Sequence, residues 1–341
     1  VTPRVIGEDD HARFERPKRR SRPRTKIRPD YSDAEVGMVI TIDRGRYTCL
    51  VGEGEDTREV IAAKARQLGR KGVIVGDRAR LVGDTSGAEG TLARIVEVLD
   101  RDTVLRRTAD DDDPYERPIV ANATQLVIVS ALADPPPRTG MIDRCLVAGY
   151  DAGLQPLLCL TKADLGSPDE LVAMYGPLDV PIEITRPGAD LTGLRRRLAG
   201  HRSVFIGHSG VGKSTLVNAL IPDANRSTGE VNEVTGKGRH TSTAAYAMRL
   251  PQVPGIDGDP GWVIDTPGVR SFGLSHVSRD RIVAAFDDLA QYVADCPRGC
   301  THEEGAVDCG LDAAAARGDL PAERLASFRR MLVGERGAPG S

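Results

Sequence analysis

The sequence predicts a multidomain chain: a small all-β barrel, then an α/β domain with a mainly parallel sheet, then a small, mostly helical region rich in cysteine. Three observations predict it. Residues 35–108 hold short alternating or apolar runs separated by Gly and Asp. From residue 124 onward apolar runs alternate with helical stretches, and one run leads into a glycine-rich loop. Near the C-terminus three of the six cysteines and a histidine fall within fourteen residues. At 341 residues the chain is also long for a single core.

Residues 1–34 come first. The stretch RFERPKRRSRPRTKIR (13–28) holds nine Arg or Lys against one acid, Glu15, although the whole chain carries −3. It contains prolines and no apolar periodicity, so a disordered basic arm is expected. Arg and Lys displace counterions from phosphates, which suits a polyanion such as RNA; a solvated tail that keeps the chain soluble fits the same composition. The chain is 40% hydrophobic and 28% charged, as in a soluble globular protein. No run approaches the roughly 18 apolar residues of a membrane span, and the basic N-terminus lacks the apolar core of a signal peptide. Six cysteines in a chain of this size do not read as a secreted disulfide framework, so the cytoplasm is expected.

For residues 35–108 the strand-bearing stretches are VGMVITIDRGRYTCLV (36–51), GVIVGDRARLV (72–82) and GTLARIVEVL (90–99). TREVIAAKARQL (57–68) fits strand or helix. Several short strands in so few residues suggest a closed barrel, with the OB fold the leading candidate; such barrels often bind oligonucleotides. RTADDDDPYERP (107–118) reads as an acidic linker.

Residues 109–277 then read as α/β. Strands are expected at 124–131, 155–161, 180–185, 202–207, 245–250 and 261–265, and helices near 139–152, 168–175 and 190–199. DPPPRTG (134–140) is expected to be a surface loop. FIGHSGVGKSTLVNAL (205–220) matches G-x-x-x-x-G-K-[ST] from Gly207 to Ser214, with a strand before it and a helix after. Gly207, Gly210 and Gly212 allow a tight bend, so the backbone of His208, Ser209, Gly210 and Val211 can turn its N–H groups inward. Those groups and the positive helix end cradle phosphates. Lys213 would reach the β and γ phosphates, Ser214 would ligate Mg²⁺ and Thr215 would meet the α phosphate.

VIDTPG (263–268) ends a strand in D-x-x-G. Asp265 is expected to hold Mg²⁺ through a water, and the Gly268 N–H to touch the γ phosphate. Between the two motifs GKGRHTSTAAY (236–246) reads as a switch loop whose Thr or Ser closes on Mg²⁺. Thr241, Ser242 and Thr243 are the candidates, and spacing does not choose among them; Thr243 is taken as the Mg²⁺ ligand. An earlier strand ends in TKAD, Thr161-Lys162-Ala163-Asp164. An Asp there can accept from both the ring N–H and the exocyclic amine of guanine, a pair that adenine does not offer. Lys162 would lie along the base and brace the phosphate loop. Thr161 stands where this motif usually has Asn; its hydroxyl can still bond to neighbouring loops but has fewer groups to offer, so weaker bracing is expected, with the guanine preference intact. In ordinary switch GTPases the phosphate loop precedes the guanine motif. Here the order is reversed, so either Lys162 and Asp164 are an incidental surface pair or the domain is circularly permuted. EITRPGADLTGL (183–194) favours permutation, because it ends a strand before the phosphate loop as a base-cradling loop should.

The C-terminal residues 278–341 are expected to form a helix near 279–292, the cysteine cluster, and a helix near 321–333. That last helix carries Leu325, Phe328 and Leu332 on one face and Arg324, Arg329 and Arg330 elsewhere. The cluster CPRGCTHEEGAVDC offers Cys296, Cys300, His302 and Cys309. Three thiolates and an imidazole suit one tetrahedral, structural Zn²⁺ with no position open for catalysis; free thiols or a redox pair are the alternative. Glu303 and Glu304 are expected to be solvated. Cys49, Cys145 and Cys159 sit in apolar patterns and are expected in the core.

Guanine motif, phosphate loop, G-R-H-T-S-T switch and D-T-P-G, in that order and followed by the cysteine cluster, resemble the circularly permuted ribosome small-subunit-dependent GTPase A (RsgA) family. The resemblance runs from about residue 35 to the last helix. It implies an N-terminal OB domain, a circularly permuted P-loop GTPase domain and a C-terminal zinc domain. It also implies action in late maturation of the small ribosomal subunit. The cluster departs slightly from the family, with three and six residues in gaps where four and five are more usual. Switch GTPases place Gln after D-x-x-G to orient the attacking water. Val269 stands there, so slow intrinsic hydrolysis is expected, and His240 in the switch loop is the catalytic candidate; packing or capping of the loop is its alternative role. The expected partners are GTP or GDP and the small ribosomal subunit with its rRNA, with no membrane, and a monomer is expected. Two other functions fit the motifs: an RNA-binding module that uses GTP only as a ligand with negligible turnover, and an ATP-dependent kinase or transporter-type ATPase.

Overall fold

The computed structural model describes residues 30–69, 72–107, 117–222, 245–266, 282–283 and 286–334. The chain divides into two units, Val1–Asp33 and Ala34–Ser341. Only residues 30–33 of the first are described, and there the Ser32 N–H donates to Asp30 Oδ1 at 2.9 Å in an Asx-type turn. The basic stretch 13–28 lies outside the described residues.

The second unit begins with strands β1 (Glu35–Asp43), β2 (Arg46–Val51), β3 (Arg58–Lys64), β4 (Arg78–Val82) and β5 (Ala93–Val98). They close in the order β1-β2-β3-β5-β4, with β4 returning to β1. The β3–β5 pair is parallel and the others antiparallel. Closure removes the sheet edges, and a barrel this small must be filled by its own side chains. Val39, Cys49, Val60, Leu81 and Ile95 fill it beside the small Ala62, Ala79 and Ala93. The ambiguous stretch 57–68 divides: Arg58–Lys64 is a strand, whose alternation places Val60 and Ala62 inside while Ile61 faces out, and Arg66–Leu68 is a short 3-10 turn. Of the expected strand at 72–82 only Arg78–Val82 is regular. The segment before it bends under Asp77, which is fully buried. Asp77 accepts from Arg101 through both carboxylate oxygens (2.6 and 2.8 Å) and from the Ile74 N–H (2.8 Å).

The expected linker is bounded by strands that the sequence did not announce. β6 (Val104–Arg107) and β7 (Arg117–Ala121) pair antiparallel, with 108–116 outside the described residues. An elbow joins this hairpin to the barrel: Val75 bridges Val120, and a Cβ at Gly76 would lie 2.0 Å from the Ala121 carbonyl oxygen, so only glycine fits.

The α/β part follows with β8 (Gln125–Ala131), α1 (Thr139–Asp151), β9 (Gln155–Thr161), α2 (Asp169–Tyr175), β10 (Ile182–Ile184), α3 (Thr192–Leu198), β11 (Arg202–Gly207), α4 (Lys213–Leu220), β12 (Tyr246–Arg249) and β13 (Trp262–Asp265). Their sheet order is β10-β9-β8-β11-β13-β12, parallel except for β12. Alternate residues of β8, β9 and β11 serve two cores. Leu126, Ile128, Leu158 and Ile206 face the α1 side. Val127, Leu157, Cys159 and Phe205 pack with Leu194, Leu198, Leu216 and Leu220 of α3 and α4.

Helices α5 (Asp287–Val293), α6 (Gly310–Arg317) and α7 (Ala322–Gly334) complete the described chain. Leu325, Phe328 and Leu332 are buried, as the periodicity predicts. Tyr150 meets Phe286 in a tilted contact and Phe286 meets Phe328 edge-on, with ring centroids 4.6 and 5.6 Å apart. The arginines off that face are tied down. Arg324 is buried over the Phe286 ring and forks onto Asp288 at 2.7 and 2.8 Å. Arg330 reaches Asp143 of α1 at 3.4 Å, and Asp143 also accepts from the Tyr175 hydroxyl at 3.0 Å. Arg324 thereby ties the last helix to α5, and Arg330 ties it to the α/β part.

Candidate functional site

The phosphate-loop sequence forms the loop its spacing predicts. β11 is buried on both faces and delivers the chain to the sheet rim. A Cβ at Gly207 would lie 2.7 Å from the Val129 carbonyl of β8, so glycine lets the loop begin against its neighbour. Gly210 and Gly212 take φ of +84° and +87°, left-handed values that disfavour other residues. Gly212 is the N-cap of α4 and has no side chain with which to cap the first N–H groups of that helix. Ser214 and Thr215 are exposed at the start of α4, and the His208 ring lies 2.8 Å from the Ser209 carbonyl. Lys213 pairs with Asp265 at the end of β13, and the next residue, Thr266, donates to the Phe205 carbonyl at 3.0 Å. Asp265 is thereby held beside the loop.

The TKAD segment lies at the same rim. Thr161 is buried at the end of β9, and its hydroxyl donates to the carbonyl of Val211, inside the phosphate loop, at 2.6 Å. The two motifs, fifty residues apart, touch directly. Thr161 thus braces the phosphate loop directly, and Lys162, at φ +58°, turns its ammonium to the Asp134 carbonyl. Asp164 is exposed beyond it. The Ala163 N–H donates to the Thr185 carbonyl at 3.1 Å, tying the segment to the loop after β10 that the sequence nominates for the base.

Residues 134–138 do more than cover the surface. A Cβ on Gly210 would lie 3.5 Å from Pro135, and a small pocket between the two loops is lined by Ser130, Pro135, Arg138, Met141, His208 and Val211. The sequence offers no signal for this contact, because a proline run announces only a loop. His240, Thr241, Ser242, Thr243, Gly268 and Val269 lie outside the described residues.

Cys296, Cys300, His302 and Cys309 converge with their ligand atoms all within 4.8 Å of one another. The His302 Nδ1 lies 3.6 Å from Cys296 Sγ and 3.9 Å from Cys309 Sγ. Bonds of about 2.3 Å to sulfur and 2.0 Å to nitrogen put tetrahedral ligand atoms about 3.6 Å apart, so the set fits zinc. Burial, with the neighbouring thiols, pushes the Cys296 thiol up to about 11 against the pull of the Gly310 N–H; a bound dication would reverse that. His302 sits at φ +56°, and its carbonyl accepts from Arg329 at 2.9 Å while Arg329 also pairs with Asp312 at 2.7 Å. Glu304 is exposed and Glu303 half-buried, and neither belongs to the cluster. Burial pushes Cys49, Cys145 and Cys159 up to about 12, which marks them as inert core thiols.

A phosphate loop on β11, an acidic strand end on β13 beside it, and a TKAD strand that comes earlier in the chain yet lies two places away in the same parallel sheet define a circularly permuted P-loop nucleotide-binding protein. The RsgA GTPase family model matches residues 98–275, over half of the chain. A protein of Pseudomonas syringae pv. tomato named small ribosomal subunit biogenesis GTPase RsgA is 36% identical over 313 residues, 89% of this chain and 87% of that one. A protein of the same name from Ectopseudomonas mendocina is 43% identical over 226 residues, 64% of this chain and 63% of that one. Two solved structures share the fold at a TM-score of 0.63: YjeQ from Thermotoga maritima (24% identity, covering 89% of this chain and 99% of that one) and YloQ, described as a circularly permuted GTPase (21%, covering 90% and 96%). The chain belongs to the RsgA GTPase family. Membership sets aside the ATP-dependent kinase or transporter reading. Among the described residues no helix is long and apolar enough to cross a membrane.

Proposed function

We propose that the protein hydrolyses GTP in late maturation of the small ribosomal subunit, binding the subunit in a nucleotide-dependent way and leaving after hydrolysis. The observation that carries this is the Thr161–Val211 hydrogen bond, which brings the guanine motif and the phosphate loop to one rim where a single nucleotide can touch both. Asp164 selects guanine, with Lys162 lying along the base and Ala163 beside it. The backbone from Gly207 to Gly212 cradles the phosphates, Lys213 neutralises the β and γ oxygens, and Thr215 meets the α phosphate. Ser214, Asp265 and Thr243 are the residues that would hold Mg²⁺, which supplies further neutralisation of phosphate charge. Gly268 reads the γ phosphate. Val269 has no polar side chain, so His240 orients the attacking water, a role that the resemblance also supports. The four-ligand cluster holds one structural Zn²⁺, the protein acts as a cytoplasmic monomer, and the barrel and basic arm contact rRNA. The boundaries near 34, 108 and 277 divide arm, barrel, GTPase and zinc region.

Nucleotide turnover titrated with purified small subunits tests the reading. Stimulated multiple turnover of GTP, lost in His240→Ala while GTP binding is kept, is the expected result. GTP binding with no turnover at any subunit concentration would instead establish the RNA-binding module. Competition between GTP and ATP in Asp164→Asn tests the base assignment, with loss of the guanine preference expected.

A further inference from the structure

The barrel and the nucleotide site share one sheet, and the join is narrow. β1 pairs with β4 only over Glu35–Met38. At Val39 its outer edge passes to the elbow: the Val39 N–H donates to the Asp77 carbonyl, and the Gly76 N–H donates to the Val39 carbonyl, both at 2.8 Å. A register shift between Val39 and Thr41 then turns the strand, and Thr41 pairs with Tyr246 of β12. Tyr246 in turn lies opposite Asp265 on β13.

These pairings form one lateral row: Phe205, Asp265, Tyr246, Thr41, Thr48 and Ile61, on six successive strands. Five strand spacings make the row about 24 Å long. One end is the strand that feeds the phosphate loop. The other is Ile61, half exposed on the outer face of the barrel. Asp265, second in the row, is the partner of Lys213.

We infer that Tyr246 is a positioning residue that couples the nucleotide site to the barrel, so that β1 and β2 respond to whether GDP or GTP is bound. The inference rests on the proposed GTP chemistry. Lys213 meets β oxygens with either nucleotide but γ oxygens only with GTP, so its hold on Asp265 is weaker with GTP and the end of β13 settles differently as the phosphate number changes. Ladder hydrogen bonds hold neighbouring strands at a set spacing, and a displacement of Asp265 therefore falls on Tyr246. β12 is only four residues long, and on its far side the pairing is with Thr41. An allosteric link is a coupling free energy between two sites, and it requires an element that both sites bias; β12, paired to β13 on one side and to β1 on the other, is placed to be that element.

Hydrogen exchange read by mass spectrometry on the full chain tests this, with GDP or a non-hydrolysable GTP analogue and Mg²⁺. Fluorescent-nucleotide binding is measured alongside. At the low end of allosteric coupling, amides of β1 and β2 should differ about fivefold in protection between the two nucleotides. Thr41→Pro should abolish that difference while peptides of the phosphate loop and β13 still respond. A response at the phosphate loop with none in β1 and β2 overturns the inference and leaves the GTP reading standing. So does a barrel response confined to residues 72–82, which would assign the coupling to the elbow, or one that persists in a folded Thr41→Pro. No response anywhere, with no nucleotide bound, sinks both.

Discussion

Replacing Thr161 by Val keeps the shape and burial of the side chain and removes the hydroxyl that donates to Val211 at 2.6 Å. The Val211 carbonyl then faces a methyl group. An unsatisfied buried acceptor costs about 1–3 kcal/mol, and the methyl must also retreat from a distance that only a hydrogen bond tolerates. How the loss is divided depends on when the loop becomes ordered. If it is as well ordered without nucleotide as with it, the cost falls on the fold, and each kcal/mol lowers the melting temperature by about 2–4 °C. If nucleotide binding completes the ordering, the cost falls on affinity, where about 1.4 kcal/mol is tenfold. GDP and GTP affinity, measured by fluorescent-nucleotide titration, should thus fall together by up to about a hundredfold, with the guanine-over-adenine ratio unchanged. Thr161→Ser keeps the hydroxyl and should recover most of the loss. Unchanged affinity and unchanged melting temperature in Thr161→Val would refute the bracing role.

Three further outcomes are expected. Asp77→Ala leaves Arg101 and the Ile74 N–H without their buried partner; breaking such a pair costs about 3–5 kcal/mol, to be read from chemical denaturation curves. Cys300→Ser, or chelation of the intact chain, should release one zinc per chain in a colorimetric assay and lower the thermal stability of the C-terminal helices. Burial holds the Asp143 carboxyl above its ordinary range, against the pull of Arg330 and Tyr175. The folded chain then binds this proton more tightly than the unfolded one, so the contribution is complete below the ordinary carboxylate pKa and is lost as pH rises through the folded value. The unfolding free energy of the wild type minus that of Asp143→Asn should therefore decline with pH across that window and level off above it; a difference that rises with pH would contradict the assignment.

The motifs were legible because their chemistry is local. Gly207, Gly210 and Gly212 stand where a tight loop needs freedom or close approach, and three thiols and an imidazole within fourteen residues can meet round one ion whatever the rest of the chain does. Strand and helix order in the α/β part was equally readable, since burial on both faces leaves long apolar runs. The β6–β7 hairpin was not. Its strands are four and five residues long, one contains Pro118, and neither alternates cleanly. The burial of Arg324 was not legible either, because an arginine is placed inside only when a partner from another element meets it, here Asp288 with Phe286 beneath.

By itself the sequence determined which residues could do chemistry and in what order they are strung, because short-range spacing and side-chain type suffice for loops, caps and metal ligands. Tertiary structure alone decided that Thr161 meets Val211, that Lys162 turns to Asp134, and that the barrel joins the nucleotide sheet through Thr41 and Tyr246. Those contacts join residues far apart in the chain, and an edge strand offers the same backbone groups to any partner; which edge it meets is set by how whole elements pack.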